Sequence, residues 1–220
     1  MGPAVLLGWA FFFRKTTTMG YHPKDAFYLK AKKEGYRSRA AYKLIELNQR
    51  FDLIRPEDRV VDLGAAPGGW LQIARRLAGP KGRVIGVDLQ SIGAFKEENV
   101  ILLQGDLNSE ETQNKIKETL GTYADCVLSD MSPHLSGIHH ADVSRSVDLA
   151  FSALRVAIRL LRPGGSLLVK TFVGEEVKPF ALELRKHFSS VQATRPEATR
   201  KGSSEIYYCA KGFGGGRPQD

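Results

Sequence analysis

The sequence predicts an α/β fold: a mostly parallel sheet of seven strands with an antiparallel final strand and helices on both faces. Two observations carry this. Short apolar runs alternate with helical periodicities along most of the chain, which is the pattern of a parallel sheet covered on both sides. The connection into the last apolar run lacks a full helix, so the chain is expected to finish in an antiparallel hairpin. Its 220 residues suffice for a single domain with a sizeable core.

The elements follow in order. Residues 3–13 are almost wholly apolar but too few to span a bilayer. No basic segment precedes them, as a secretory signal requires, and Leu6 breaks the myristoylation pattern. Met19 is the expected true start, with residues 1–24 an extension outside the fold; a short membrane-touching helix is the lesser alternative. From 24 to 50 basic and aromatic residues interleave: Lys24, Lys30, Lys32, Lys33, Arg37, Arg39, Lys43 and Arg50 with Phe27, Tyr28, Tyr36 and Tyr42. Basic side chains follow phosphates and aromatic rings stack on unpaired bases, so the cluster is expected to contact RNA. Any one member reads more readily as part of a solvated helix face with its aromatics on the core. Ser38 is placed to cap a helix reaching about Arg50, with Ala41, Leu44, Ile45 and Leu47 as its buried stripe. Lys43 lies near the start of that helix, either turned toward the sheet or exposed.

The stretch VVDLGAAPGGW from Val60 to Trp70 is the organising segment. An apolar strand runs into a turn of Gly, Ala and Pro and restarts as a helix, the arrangement by which open α/β sheets hold a nucleotide-like cofactor. Gly64, Gly68 and Gly69 allow close approach of the backbone, and the helix start directs free N–H groups at the ligand. The dinucleotide spacing G-x-G-x-x-G is absent, which disfavours an NAD-linked dehydrogenase. Asp62, just before the loop, suits an ammonium group such as the one on the amino-acid end of S-adenosylmethionine. Asp88 ends the run over 83–87, where ribose hydroxyls are bound in such folds. Asp106 follows the run over 100–104, within reach of an adenine. Alone, each acid reads as a loop residue or cap; three at successive strand ends make a binding edge.

Further strands are expected over 124–129, 166–172 and 205–210, and helices over 71–78, 110–120, 143–161 and 176–188. Asp130 closes the strand over 124–129, and a polar loop over 133–142 is expected to lie above the substrate. Arg162-Pro163-Gly164-Gly165 reads as a tight turn. Lys170 stands inside an apolar strand, where an isolated ammonium is too costly, so it must be paired or functional. Burial lowers the pKa of a lysine, as base chemistry near neutral pH requires. Glu205 opens the last strand and is placed to supply a counter-charge. Residues 25–212 are expected to form one domain, and 213–220 a flexible glycine-rich tail.

Net charge is +8 and the pI is near 9.5, which favours a polyanionic partner. Cys126 and Cys209 sit apart in apolar runs and read as buried free thiols of a reducing cytosol. His22, His134, His139, His140 and His187 have no zinc spacing with them, so no metal is expected. His139 and His140 are read as a solvated or substrate-facing pair in a loop.

Taken together, the chain resembles the FtsJ (RrmJ, RlmE) family of ribosomal RNA large-subunit 2′-O-methyltransferases over most of 25–211. The resemblance rests on Arg37-Ser38-Arg39-Ala40 with Lys43, on VDLGAAPGGW, on Gln104-Gly105-Asp106, on SDMSP with Ser136-Gly137, on PGGS with Val169-Lys170, and on Arg200 with Ser204-Glu205-Ile206-Tyr207. It implies a Rossmann-like S-adenosylmethionine-dependent methyltransferase fold and a tetrad of Lys43, Asp130, Lys170 and Glu205. It also implies methyl transfer from S-adenosylmethionine to the ribose 2′-hydroxyl of a uridine in large-subunit rRNA, without a metal. Lys170 is the expected base, Asp130 its orienting partner, and Glu205 and Lys43 position the ribose. The expected cofactor contacts are Asp62, Gly64, Gly68, Gly69, Trp70, Asp88, Asp106 and Asp130. A monomer in the cytoplasm acting on the assembled large ribosomal subunit is expected, because a lone small domain grips naked RNA mainly through phosphates. The rival readings are tRNA or mRNA-cap 2′-O-methylation, and a non-catalytic ribosome assembly factor that keeps the fold.

Overall fold

The computed structural model describes residues 26–200 and 202–214. The expected extension before Met19 and the end of the expected tail lie outside the described residues. In chain order the elements are α1 (Ala26–Lys33), α2 (Ala41–Phe51), β1 (Arg59–Leu63), α3 (Gly69–Ala78), β2 (Arg83–Asp88), β3 (Val100–Gln104), α4 (Glu110–Leu120), β4 (Ala124–Ser129), α5 (His139–Leu160), β5 (Leu161–Phe172), α6 (Val177–His187), β6 (Phe188–Thr194) and β7 (Glu205–Phe213).

The strands form one seven-stranded sheet in the order β3-β2-β1-β4-β5-β7-β6. β1 to β5 are parallel. β7 inserts between β5 and β6 and runs antiparallel to both. Alternation along each strand sorts the core onto the two faces. Val61, Leu63, Val127, Leu167 and Val169 pack with α4, α5 and α6. Val60, Leu128, Leu168, Tyr207 and Cys209 pack with α2 and α3. Asp62 and Lys170, two residues from Val60 and Leu168, therefore belong to the α2/α3 side. Both cysteines are buried and free.

The order places the functional edge. From β1 the chain moves to β2 and β3 on one side and to β4 and β5 on the other, leaving a crevice beyond the carboxyl ends of β1 and β4. Because β7 is antiparallel, its first residue, Glu205, pairs with Phe172 at the end of β5 and reaches the same edge.

Several boundaries differ from those the sequence suggests. α2 starts at Ala41, and its N-cap Ala40 makes no side-chain cap. Ser38 contributes its carbonyl to Ala41 N–H instead, while its hydroxyl packs where a methyl on Gly69 would stand. Ile45 is only partly buried; Tyr42 and Lys43 join Ala41, Leu44 and Leu47 inside. α5 begins at His139, so the two histidines occupy its first turn and not a loop. The 162–165 turn lies within β5, as an excursion where the register passes from Ala124↔Leu161 to Cys126↔Ser166. β7 extends to Phe213, which is buried against Phe188, so Phe213 belongs to the core and not to the tail.

Candidate active site

Five side chains from four parts of the chain close a ring at the crevice. Lys43 reaches inward from α2 and donates to Glu205 Oε2 at 2.6 Å and to the Tyr207 hydroxyl at 2.9 Å. That hydroxyl donates in turn to Asp130 Oδ1 at 2.6 Å. Asp130 Oδ1 lies 3.1 Å from Lys170 Nζ, and Glu205 Oε1 lies 3.9 Å from the same nitrogen. Lys170 also donates to the Asp130 carbonyl at 2.8 Å and to Ser132 Oγ at 2.7 Å. Lys43 and Lys170 are 7% and 5% exposed, so the alternative of an exposed Lys43 falls. Buried charge of this kind persists only when paired and hydrogen-bonded, and here two carboxylates meet two ammonium groups.

The ring sets protonation. Burial pushes the Asp130 carboxyl up, but Lys170, Lys43 and the Tyr207 hydroxyl outweigh it and hold it below the usual carboxylate range. Burial, with Asp130 and Glu205 beside it, drives the Tyr207 phenol well above its ordinary value, so Tyr207 stays a neutral donor.

Asp62 presents a different environment. It is 1% exposed, and its Oδ2 has no hydrogen-bond partner among the described residues. Burial first, then Asp130 and Asp88, raise its carboxyl well above the ordinary value. A buried carboxylate oxygen without a donor is costly and suits a ligand that carries a cationic amine. The backbone around it is shaped accordingly. Gly64 has φ +74 and Gly68 φ +106, and a methyl on Gly64 would come within 2.3 Å of Met131 Cγ. The first-turn N–H groups of α3 lack intrahelical partners by geometry and face an anion well.

The remaining expected cofactor contacts sit at the same edge with work already assigned. Asp88 takes Ala66 N–H on Oδ2 and Gln90 N–H on Oδ1, both at 2.8–2.9 Å, which ties the β1 loop to β2. Each carboxylate oxygen keeps a second lone pair. Asp106 holds Asn108 through Oδ1 at 2.9 Å. Trp70 is buried, and its indole N–H donates to the Ala40 carbonyl at 2.8 Å. Its ring lies 6.1 Å from that of Tyr207, so the side chain packs beside the ring of five.

Tyr207 and Ser132 are what sequence reasoning missed. A signal existed for Tyr207: two residues after Glu205, it shares that face of the strand, and the hairpin register sets it opposite Lys170. In the basic and aromatic segment, Phe27 and Tyr36 each pack on Tyr42, with centroids 5.4–5.5 Å apart, while Tyr28 is exposed and Arg50 pairs with Glu46. His139 and His140 sit at the α5 N-terminus, where His140 contacts Glu176 at 2.9 Å. Among the described residues no helix is long and apolar enough to cross a membrane.

Comparison with known proteins places this geometry. The profile of FtsJ-like methyltransferases matches residues 36–213. The chain is 53% identical over 193 residues to the ribosomal RNA large subunit methyltransferase E of Methanothrix thermoacetophila, covering 88% of this chain and 74% of that one. It is 48% identical over 197 residues to the protein of the same name from Coxiella burnetii, covering 87% and 92%. A solved ribosomal RNA methyltransferase from Plasmodium falciparum superposes with a TM-score of 0.74 at 29% identity, covering 82% of this chain and all of that one.

Proposed function

The chain belongs to the FtsJ-like methyltransferase family, and from that premise we propose that it methylates the 2′-hydroxyl of a uridine in large-subunit rRNA, using S-adenosylmethionine. It is an rRNA methyltransferase; the nucleotide, the cofactor contacts and the residue roles are our reading. The observation that carries it is the closed ring of Lys43, Glu205, Lys170, Asp130 and Tyr207 beside Asp62, whose Oδ2 has no hydrogen-bond partner among the described residues.

When bound, S-adenosylmethionine supplies an electrophilic methyl group on a sulfonium. Asp62 would hold its ammonium, the start of α3 its carboxylate, Asp88 the ribose hydroxyls and Asp106 the adenine edge. A ribose hydroxyl is a weak nucleophile and must shed its proton as it attacks. Lys170 receives that proton as a neutral amine, after its resting ammonium has given up one proton to solvent. The Asp130 carbonyl, Asp130 Oδ1 and Ser132 Oγ surround Nζ and stabilise the ammonium formed. Asp130 fixes the direction of Nζ, while Lys43 and Glu205 flank the ribose. The methyl moves in line, so most of the acceleration comes from positioning.

The substrate is proposed to be the assembled or nearly assembled large subunit. Three basic groups of the 37–50 segment are engaged within the protein: Lys43 with Glu205, Arg50 with Glu46, and Arg39 with the Ala198 carbonyl. Fewer phosphate contacts then remain for naked RNA. Labelled methyl transfer from S-adenosylmethionine to purified large subunits, free rRNA and tRNA tests this, with Lys170→Ala alongside. Label on a subunit ribose, absent with Lys170→Ala although that variant still binds cofactor, is the expected result. Equal labelling of free rRNA overturns the subunit preference, label on tRNA alone overturns the substrate, and a fully active Lys170→Ala overturns the base.

A further inference from the structure

Arg37 lies in the basic stretch from which RNA contacts are expected, yet its side chain is committed elsewhere. Nη1 donates to the Gly93 carbonyl at 2.6 Å and to the Pro67 carbonyl at 3.3 Å, and Nη2 donates to the Ala94 carbonyl at 2.5 Å. The guanidinium stacks on Phe95, 3.8 Å from the ring centroid. Three carbonyls and an aromatic face use the planar fork in a way a lysine cannot reproduce.

These partners belong to two loops at the cofactor edge. Pro67 is in the β1–α3 turn. Gly93, Ala94 and Phe95 are in the stretch after β2, between Asp88 and β3, which has no regular structure. Arg37 and Phe95 both rest on Gly68: a methyl there would stand 2.9 Å from Arg37 Nη1 and 3.2 Å from Phe95 Cε2. Arg37 is itself anchored, because its N–H donates to Gln72 Oε1 at 2.7 Å and Gln72 Nε2 donates to the Gly35 carbonyl at 3.0 Å. Its base is thus fixed to α3 while its tip fastens one loop onto the other.

We infer that Arg37 is a latch of the cofactor site: it presses residues 93–95 onto the Gly68 turn and pre-forms the wall beside Asp88, and it is not an RNA-phosphate ligand. The inference rests on the cofactor assignment proposed above. Without the latch, the stretch after β2 must be ordered at the moment of cofactor binding, and that entropy is taken from affinity. Arg37 is a positioning residue, acting through the two loops.

Calorimetric titration with S-adenosylmethionine, on the full chain and on Arg37→Ala, Arg37→Lys and Phe95→Ala, tests it. Arg37→Ala is expected to weaken cofactor binding roughly tenfold or more, with Arg37→Lys recovering part of the loss. Phe95→Ala should weaken binding in the same direction and serves if Arg37→Ala does not fold. In steady state the loss falls on the KM for S-adenosylmethionine more than on kcat, and the salt dependence of binding to large subunits keeps its slope. If the unaltered protein binds and Arg37→Ala binds equally well, the latch is overturned. It is also overturned if Arg37→Ala keeps cofactor affinity but lowers the salt slope by about one phosphate contact. If the unaltered protein does not bind S-adenosylmethionine, the cofactor assignment fails and the latch with it.

Discussion

Tyr207 shows how much a single hydroxyl decides in this site. It accepts from Lys43 and donates to Asp130, so it carries the link between the lysine of α2 and the carboxylate after β4. Burial and two neighbouring carboxylates hold it protonated, which keeps the direction of that donation constant. Tyr207→Phe removes the link without changing the shape of the ring. A hydrogen bond to a charged group contributes about 1.5–3 kcal/mol, so kcat should fall roughly ten- to a hundredfold while S-adenosylmethionine affinity is retained. Single-turnover methylation beside a binding isotherm measures both; an unchanged kcat would remove Tyr207 from the positioning network. The ring also explains why Lys43 and Lys170 are tolerated inside: each finds a carboxylate, and Glu205 serves both through its two oxygens.

At the scale of the element, the turn between β1 and α3 is the most constrained. Gly64 is left-handed and stands against Met131, next in sequence to Asp130. Its N–H donates to the Val87 carbonyl at 2.8 Å, so the turn is tied to β2 as well. Gly64→Ala has to place a methyl where Met131 is, in a backbone conformation that costs an L-residue about 1–2 kcal/mol. The unfolding free energy should fall by at least that amount and methyl transfer should drop, because Met131 cannot move without its neighbour Asp130. Denaturant titration reads the first effect and a labelled-methyl assay the second; full stability in Gly64→Ala would contradict the tight contact. β7 matters for another reason. Its antiparallel direction brings Glu205 and Tyr207 to the edge where the parallel strands end, which a further parallel strand of that length would not do.

For the molecule as a whole, the burial of Asp62 works against stability. Asp62 is buried with an oxygen that has no hydrogen-bond partner among the described residues, and its carboxyl is raised well above its ordinary value by burial, Asp130 and Asp88. An acid whose pKa is higher in the folded than in the unfolded state binds more protons when folded. Stability is therefore lost as pH rises from the unfolded value of about 3.9 through the raised folded one. Asp62→Asn should raise the unfolding midpoint of the ligand-free protein at pH 7–8 by removing that charge. The gain should vanish near pH 4, and S-adenosylmethionine affinity should collapse. Thermal melts across pH, with and without ligand, check it; a variant less stable than the parent at pH 8 would mean that the Asp62 charge is compensated in the protein.

The sequence by itself determined the alternation of strands and helices and the glycine turn, which are local chemistry: periodicity and turn composition. Lys43, Asp130, Lys170 and Glu205 were singled out as a set by the family resemblance, and of Lys43 the residues alone left open whether it turns inward. Their meeting in one ring was implied by resemblance, but only the tertiary structure decided how they meet. Tyr207 touches Asp130 across 77 positions of sequence and Lys43 across 164, and Arg37 reaches Ala94 across 57. Such contacts depend on strand order and on the hairpin register that sets Tyr207 opposite Lys170. The same packing gathered Phe27, Tyr36 and Tyr42 into a small core of their own and left Tyr28 exposed. It also turned Arg37, from the basic stretch expected at phosphates, toward the β1–α3 turn and residues 93–94. A side chain's composition states which partners it accepts, but the folded chain determines which of them lies within hydrogen-bonding distance.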